Sequence, residues 1–171
     1  NVNGTGTLEA TGGSDNGDNA NTENWGIFGT YYDGDSIITV TNGKLIATTG
    51  KTYSQTVEGT SIGLQTDSLV INGGQVDIKT AQCASGYGIY IHASDGNELN
   101  ELSLSNGSLN IVAQGTNYSR GIKSLTNSAD ALFSITGGTF VAVSNAMAQD
   151  TMAVDLYENE DEFKVTTENR M

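Results

Sequence analysis

Proline is absent from this chain. Because proline cannot donate a backbone hydrogen bond, its absence suits a fold in which strands pair on both sides. Cysteine occurs once, at Cys83, which excludes an internal disulfide framework and any paired-cysteine metal site. Cys83 reads as an ordinary small residue in a rim loop. Basic residues are scarce, 7 Lys and Arg against 20 Asp and Glu, giving a formal net charge of −13 and a pI near 4.1. The few cations are scattered singly and form no positive stripe. Nucleic acid is thereby excluded as a favoured ligand, and anionic membrane surfaces are disfavoured. No apolar run is long enough to span a bilayer, so membrane insertion is not expected.

What is present is glycine, 22 residues of it, and a fragment that recurs almost in register. It reads ITVTNGKLIA, LVINGGQVDI, LSLSNGSLNI and FSITGGTFVA, with turn glycines at Gly43, Gly74, Gly107 and Gly138, spaced 31, 33 and 31 residues apart. A period of this length marks one supersecondary unit stacked on copies of itself. Five residues before the glycine stand Ile38, Leu69, Leu102 and Phe133, and three before it Val40, Ile71, Leu104 and Ile135. Two residues after it come Leu45, Val76, Leu109 and Phe140, and four after it Ala47, Ile78, Ile111 and Ala142. Spacing by two on both sides of a tight turn is the mark of strands with one buried face. Asn and Gly in the turn tolerate positive φ, so the corner can bend sharply.

A hairpin is the simplest reading of strand, Asn-Gly, strand. The columns argue against it, because a meander does not require the same residue class at each inward position in every repeat. A coil resting on the coil before it does. A third strand completes each coil at Trp25-Gly26-Ile27, Ile62-Gly63-Leu64, Tyr87-Gly88-Ile89, Arg120-Gly121-Ile122 and, in degenerate form, Met152-Ala153-Val154. The linker between second and third strands varies in length, as rim insertions in a solenoid do. The expected fold is all-β: a right-handed parallel β-helix of about five coils with three short strands each, one domain over residues 1–171. The hand rests on the crossover preference alone.

The ends are the weak points of such a fold. Leu8 and Ala10 alone represent the first coil's inward set, since the matching upstream positions are missing or polar, as at Asn3. Phe163 and Val165 start a further first strand that the chain does not complete. Open strand edges invite pairing, so neighbouring coils or domains are expected at both ends. The chain is accordingly expected to be part of, or excised from, a longer one.

The pattern D-S-L-x-I-N-G-G-x-V-x-I…Y-G-I, as it stands from Asp67 to Ile89, carries a resemblance. It resembles the glycine-rich parallel β-helix repeats of bacterial cell-surface proteins from Gram-positive and gut bacteria, and the likeness runs from Gly6 to about Val154. Among these is a carbohydrate-binding family similar in fold to pectate lyases, which binds cellulose and acidic plant polysaccharide. The resemblance implies a secreted or surface-bound bacterial protein and a polysaccharide partner. It also raises calcium as a cofactor, although no acidic cluster of the family's kind can be placed here residue by residue.

Two sets of residues are candidates for chemistry. Flanking the third-strand glycine, the columns read Trp25, Ile62, Tyr87, Arg120, Met152 and Phe28, Gln65, Tyr90, Lys123, Asp155. If both face outward, Trp25, Phe28, Tyr87 and Tyr90 make an aromatic surface. Coils stack about 4.8 Å apart, so Trp25 and Tyr87 would lie roughly 10 Å apart. That is close to the repeat of two sugars in a flat β-linked polysaccharide. Arg120 and Lys123 would then stand ready to pair with the carboxylates of an acidic sugar. The plainer alternative is that the aromatics cover a thin sheet edge or pack under long loops. The second set is the oxygen-rich loops containing Asp15, Asp18, Asp33, Asp35 and Asp95, which suit calcium but are also ordinary turn composition. Calcium there would offer a bridge to a polyanion. The acidic stretch from Glu158 to Glu162 reads as a solvated turn.

Catalysis is not expected. A glycosidase needs carboxylates converging at set separations, yet Asp77 and Asp155 are the only aspartates assigned to strands and their columns do not coincide. A lyase of the pectate type needs a base beside calcium-binding acids, and no acidic column is seen to flank Arg120 and Lys123. His92, the single histidine, has no triad partner in its column. Fold analogy alone would overstate the case for an enzyme. The reading reached is a non-catalytic extracellular carbohydrate-binding module. The alternative is a passive stalk or adhesin segment; a polysaccharide lyase is more remote. An ice-binding surface is remote too, because Thr39 and Thr41 have no matching threonines in the next two coils.

Overall fold

A computed structural model of the chain describes residues 1–13, 23–29, 36–50, 59–91, 101–124 and 132–156. Its strands fall into three sheets. Sheet 1 holds β3 (Ile37–Val40), β6 (Ser68–Ile71), β9 (Glu101–Leu104) and β12 (Leu132–Ile135). Sheet 2 holds β1 (Thr7–Thr11), β4 (Lys44–Thr48), β7 (Gln75–Lys79), β10 (Ser108–Val112) and β13 (Thr139–Val143). Sheet 3 holds β2 (Glu23–Phe28), β5 (Thr60–Thr66), β8 (Cys83–Ile91), β11 (Gly115–Ser124) and β14 (Asp150–Leu156). Every pairing is parallel, and each strand pairs with its equivalents in the coils before and after it. This is a parallel β-helix whose coil runs sheet 1, sheet 2, sheet 3. Among the described residues no helix is long and apolar enough to cross a membrane.

The register matches the columns residue for residue. Leu8, Leu45, Val76, Leu109 and Phe140 stack as one inward column of sheet 2, and Ala10, Ala47, Ile78, Ile111 and Ala142 as the next. Sheet 1 contributes Val40, Ile71, Leu104 and Ile135, while sheet 3 contributes Ile27, Leu64, Ile89, Ile122 and Val154. These three inward stripes meet in one narrow core that runs the length of the stack. The corner between sheets 1 and 2 is turned by Gly43, Gly74, Gly107 and Gly138, all at positive φ between 75° and 91°. A side chain at Gly74 would be strained there and would also run into the Gly43 carbonyl oxygen of the preceding coil.

Two expectations need correction. The first coil's inward set is larger than Leu8 and Ala10. Val2 bridges Val40 in parallel, exchanging Val2 N–H to Thr39 O (2.8 Å) and Thr41 N–H to Val2 O (3.0 Å), and packs against the core. Its turn is one residue longer than the others, which shifts the inward residue out of the fixed spacing. Cys83 is likewise not in a rim loop. It is the first residue of β8 and fully buried, and burial pushes its thiol pKa up, so it is a core residue.

The connections place the variable part of the fold. Every step from sheet 1 to sheet 2 is a three-residue corner. The long connections, 12–22, 29–36, 49–59, 92–100 and 125–131, all lead into or out of sheet 3. Sheet 3 is therefore the sheet that every long connection enters or leaves.

Candidate functional site

The outer face of sheet 3 is shaped by a column of glycines. Gly26, Gly63, Gly88 and Gly121 sit in adjacent coils, and the strand register runs up to the residue before each and resumes at the residue after. Alternation along a flat strand would put a residue and its third neighbour on opposite faces. The break at the glycine puts both outside, with only the residue following the glycine turned inward. At Gly88 a Cβ would overlap Ile111 Cγ2 and the Gly121 carbonyl oxygen, so the bend leaves no room for a side chain.

Because of this bend, the flanking side chains lean together. Three extended residues span about 10 Å, yet the Trp25 and Phe28 ring centroids are 5.1 Å apart at 66°, edge to face. Tyr87 and Tyr90 repeat the arrangement two coils on, at 5.8 Å and 52°. The coil between carries Ile62 and Gln65, paired in register with both neighbours. Although they face outward, Ile62 is only 5% exposed and Gln65 4%, because larger side chains close over them. Gln65 Oε1 accepts a hydrogen bond from Trp25 Nε1 at 3.0 Å, which fixes the indole. The result is an open groove of about 620 Å³ over three coils, closed at one end by the next, and lined by both aromatic pairs together with Glu23, Thr60, Ile62, Gln65 and Lys123. Phe28 stays 49% exposed at its edge. Burial pushes the Tyr87 hydroxyl pKa up, partly offset by the nearby Arg120 charge and a hydrogen bond with Ser85. Tyr87 is thus a neutral phenol that can both donate and accept.

The next coil differs from expectation. Arg120 and Lys123 follow the aromatics in register, but Arg120 is not a free cation. Its Nε donates to Asp155 Oδ2 at 2.7 Å, its Nη2 to Asp150 Oδ2 at 2.8 Å and its Nη1 to the Asp150 carbonyl oxygen at 3.0 Å. Its side chain is 8% exposed. The guanidinium beside Asp150 holds that carboxyl below the usual carboxylate range. An acidic pair therefore does flank Arg120, contrary to the sequence reading, and it consists of Asp150 and Asp155 from β14. The signal was available: Asp155 aligns with Lys123, one coil beyond, and a column alignment read diagonally brings it to Arg120. Lys123 keeps an outward ammonium, 5.4 Å from the Tyr87 ring centroid, within cation–π reach.

The structure thus brings Trp25, Phe28, Tyr87, Tyr90 and Lys123 to one groove and turns Arg120 into a tie between coils. Asp15, Asp18, Asp33, Asp35 and Asp95 lie outside the described residues, as does His92. Among the described residues, no three His, Cys, Asp or Glu side chains gather as a metal site would require. Several of their carboxylates are otherwise engaged. Asp67 Oδ2 accepts the Ser36 N–H at 2.7 Å, and Asp77 is held by Lys44, Gln75 and Asn110. Asp77 and Asp155 stand on different sheets, 2 and 3, so they do not face one another across a cleft. No family model, curated protein or solved structure matches the chain.

Proposed function

We propose that this chain is a non-catalytic, extracellular carbohydrate-binding module, and that a polysaccharide lies in the groove of sheet 3. The observation that carries the reading is the pairing of two aromatic clusters two coils apart over a sunken coil. Sugar rings present flat C–H faces that pack on aromatic faces, and their hydroxyls need nearby donors and acceptors. Trp25, Phe28, Tyr87 and Tyr90 supply the faces; Thr60, Glu23, Lys123 and the Tyr87 hydroxyl supply polar partners at the margins. The two-coil spacing of roughly 10 Å suits alternate sugars of an extended β-linked chain. Placement on the sheet that every long connection enters or leaves adds to the case.

Affinity electrophoresis on cellulose derivative, xylan and polygalacturonate tests this, with calcium and with chelator. Retardation by a glycan, lost in a Trp25→Ala/Tyr87→Ala variant that keeps its fold, supports the module. Sensitivity to chelator would bring calcium and the Asp15, Asp18, Asp33, Asp35 and Asp95 loops into the site. No retardation under any condition would leave the chain as a stalk or adhesin segment, whose work is length and stiffness.

A further inference from the structure

We infer that the groove selects a neutral polysaccharide, of the unsubstituted β-linked glucan, xylan or mannan kind, over an acidic one; the inference rests on the glycan-binding reading above. Recognition of a uronate chain needs fixed cations with free donors aimed at the ligand, and arginine is the side chain best made for it. The one arginine near this groove among the described residues is spent. Arg120 gives Nε to Asp155, Nη2 to Asp150 and Nη1 to the Asp150 carbonyl oxygen and, at 3.4 Å, to that of Ser119. With its side chain 8% exposed, it offers a passing carboxylate nothing.

The remaining charges cancel. Among the described residues, Lys123 is the one cation lining the groove, and Glu23 lines it at the other end. Lys123 also pairs in register with Asp155 on the neighbouring strand, so the strand next to it carries acid and not a second cation. Beyond the groove, the whole chain carries a formal −13. A polyanion approaching such a surface is repelled over about a Debye length, roughly 8–10 Å at ordinary salt. The groove surface itself is chemically matched to uncharged rings: two aromatic pairs, an isoleucine and an amide already committed to the Trp25 indole.

Isothermal titration of the whole chain decides it. The probes are cellohexaose, xylohexaose and mannohexaose on one side and hexagalacturonate on the other, each with calcium and with chelator. The expected result is binding of a neutral hexasaccharide whose Kd changes less than about twofold between about 0.05 and about 0.5 M salt, since no charge pair is there to be screened. Hexagalacturonate should give no binding in either condition. Preference for hexagalacturonate, with a Kd that rises about tenfold over that salt range or with a need for calcium, would overturn the neutral assignment. The groove itself would still stand in that case if Trp25→Ala abolished the binding. Absence of binding to all four probes by a folded chain would sink the glycan reading and this inference with it.

Discussion

At the scale of single residues, stacking imposes stricter demands than side-chain chemistry does. Gly88 illustrates it. Any Cβ there meets Ile111 Cγ2 and the carbonyl oxygen of Gly121 in the next coil, so backbone has to move. Gly88→Ala should cost about 1–3 kcal/mol by overpacking, whereas Gly13→Ala, where a Cβ meets nothing within 4 Å, should stay within about 0.5 kcal/mol. Urea unfolding of the two variants checks the contrast, and equal effects would refute the packing account. The column holds an alanine once, at Ala153 in the last described coil, where no further described strand stacks above it. A second residue-scale prediction concerns Asp77. Burial pushes its carboxyl up, but Lys44 at 2.6 Å and hydrogen bonds from Gln75 and Asn110 outweigh that and hold it below the ordinary value. A lowered folded pKa means the contribution is present above the ordinary value near 4 and is lost as pH falls through the lower folded one. Asp77→Asn should therefore lower stability at pH 7, by less than about 1 kcal/mol at this part-exposed site, and the difference should vanish near pH 2. A difference that persists in acid would show that the charge is not what matters. Residues of this kind were legible as columns, since a fixed period reveals what must match. Their partners were not, because a hydrogen bond such as Asn110 Nδ2 to Asp77 Oδ1 depends on rotamers that a period does not encode.

At the scale of elements, the strands of sheets 1 and 2 follow the sequence almost without surprise. Alternation at Leu45 and Ala47 or Val76 and Ile78 fixes one buried face, and a turn glycine at positive φ fixes the register. Sheet 3 was harder to read. The break at its glycine column sets Trp25 and Phe28 on one face, an outcome that period-two reasoning by itself would reject. The aromatic groove was recoverable only because both flanking columns were tracked coil by coil. The engagement of Arg120 was missed because Asp150 and Asp155 sit on a strand that ends in degenerate repeat sequence. That engagement yields a prediction about β14. Arg120→Met leaves two carboxylates side by side without their shared cation, and the tie between β11 and β14 goes with it. Amide exchange in β14 should accelerate by about tenfold or more. Exchange in β5 and β8, whose groove side chains do not rely on that tie, should hardly change. Acceleration spread evenly over all coils would mean that Arg120 supports the fold as a whole and not one coil junction.

At the scale of the molecule, a solenoid touches only its neighbours, so stability is close to a sum of coil and interface contributions. The core is not uniform along that axis. Among the described residues, the large side chains with essentially no exposure run from Val40 to Ile122, all within the second, third and fourth coils. Leu8 in the first coil, in the same column as fully buried Leu45, Val76 and Leu109, is 53% exposed, and Phe140 in the last is only partly covered. Protection from hydrogen exchange should accordingly peak in β6, β7 and β8 and decline toward both β1 and β13, and a flat profile would argue for one all-or-none unit. The groove sits asymmetrically on this gradient, spanning the first to third coils through β2, β5 and β8 and bounded by Lys123 of β11. A glycan seated there bridges the weak first coil to the strong third. At about a hundredfold excess over Kd, ligand binding contributes roughly 2.7 kcal/mol to the bound state. That stabilisation should appear as slowed exchange in β1 and β2, where opening abolishes the site, and leave β12 to β14 untouched. Neutral glycan that slowed exchange at the β14 end instead would place its binding away from Trp25 and Phe28, and the aromatic groove would no longer be the site.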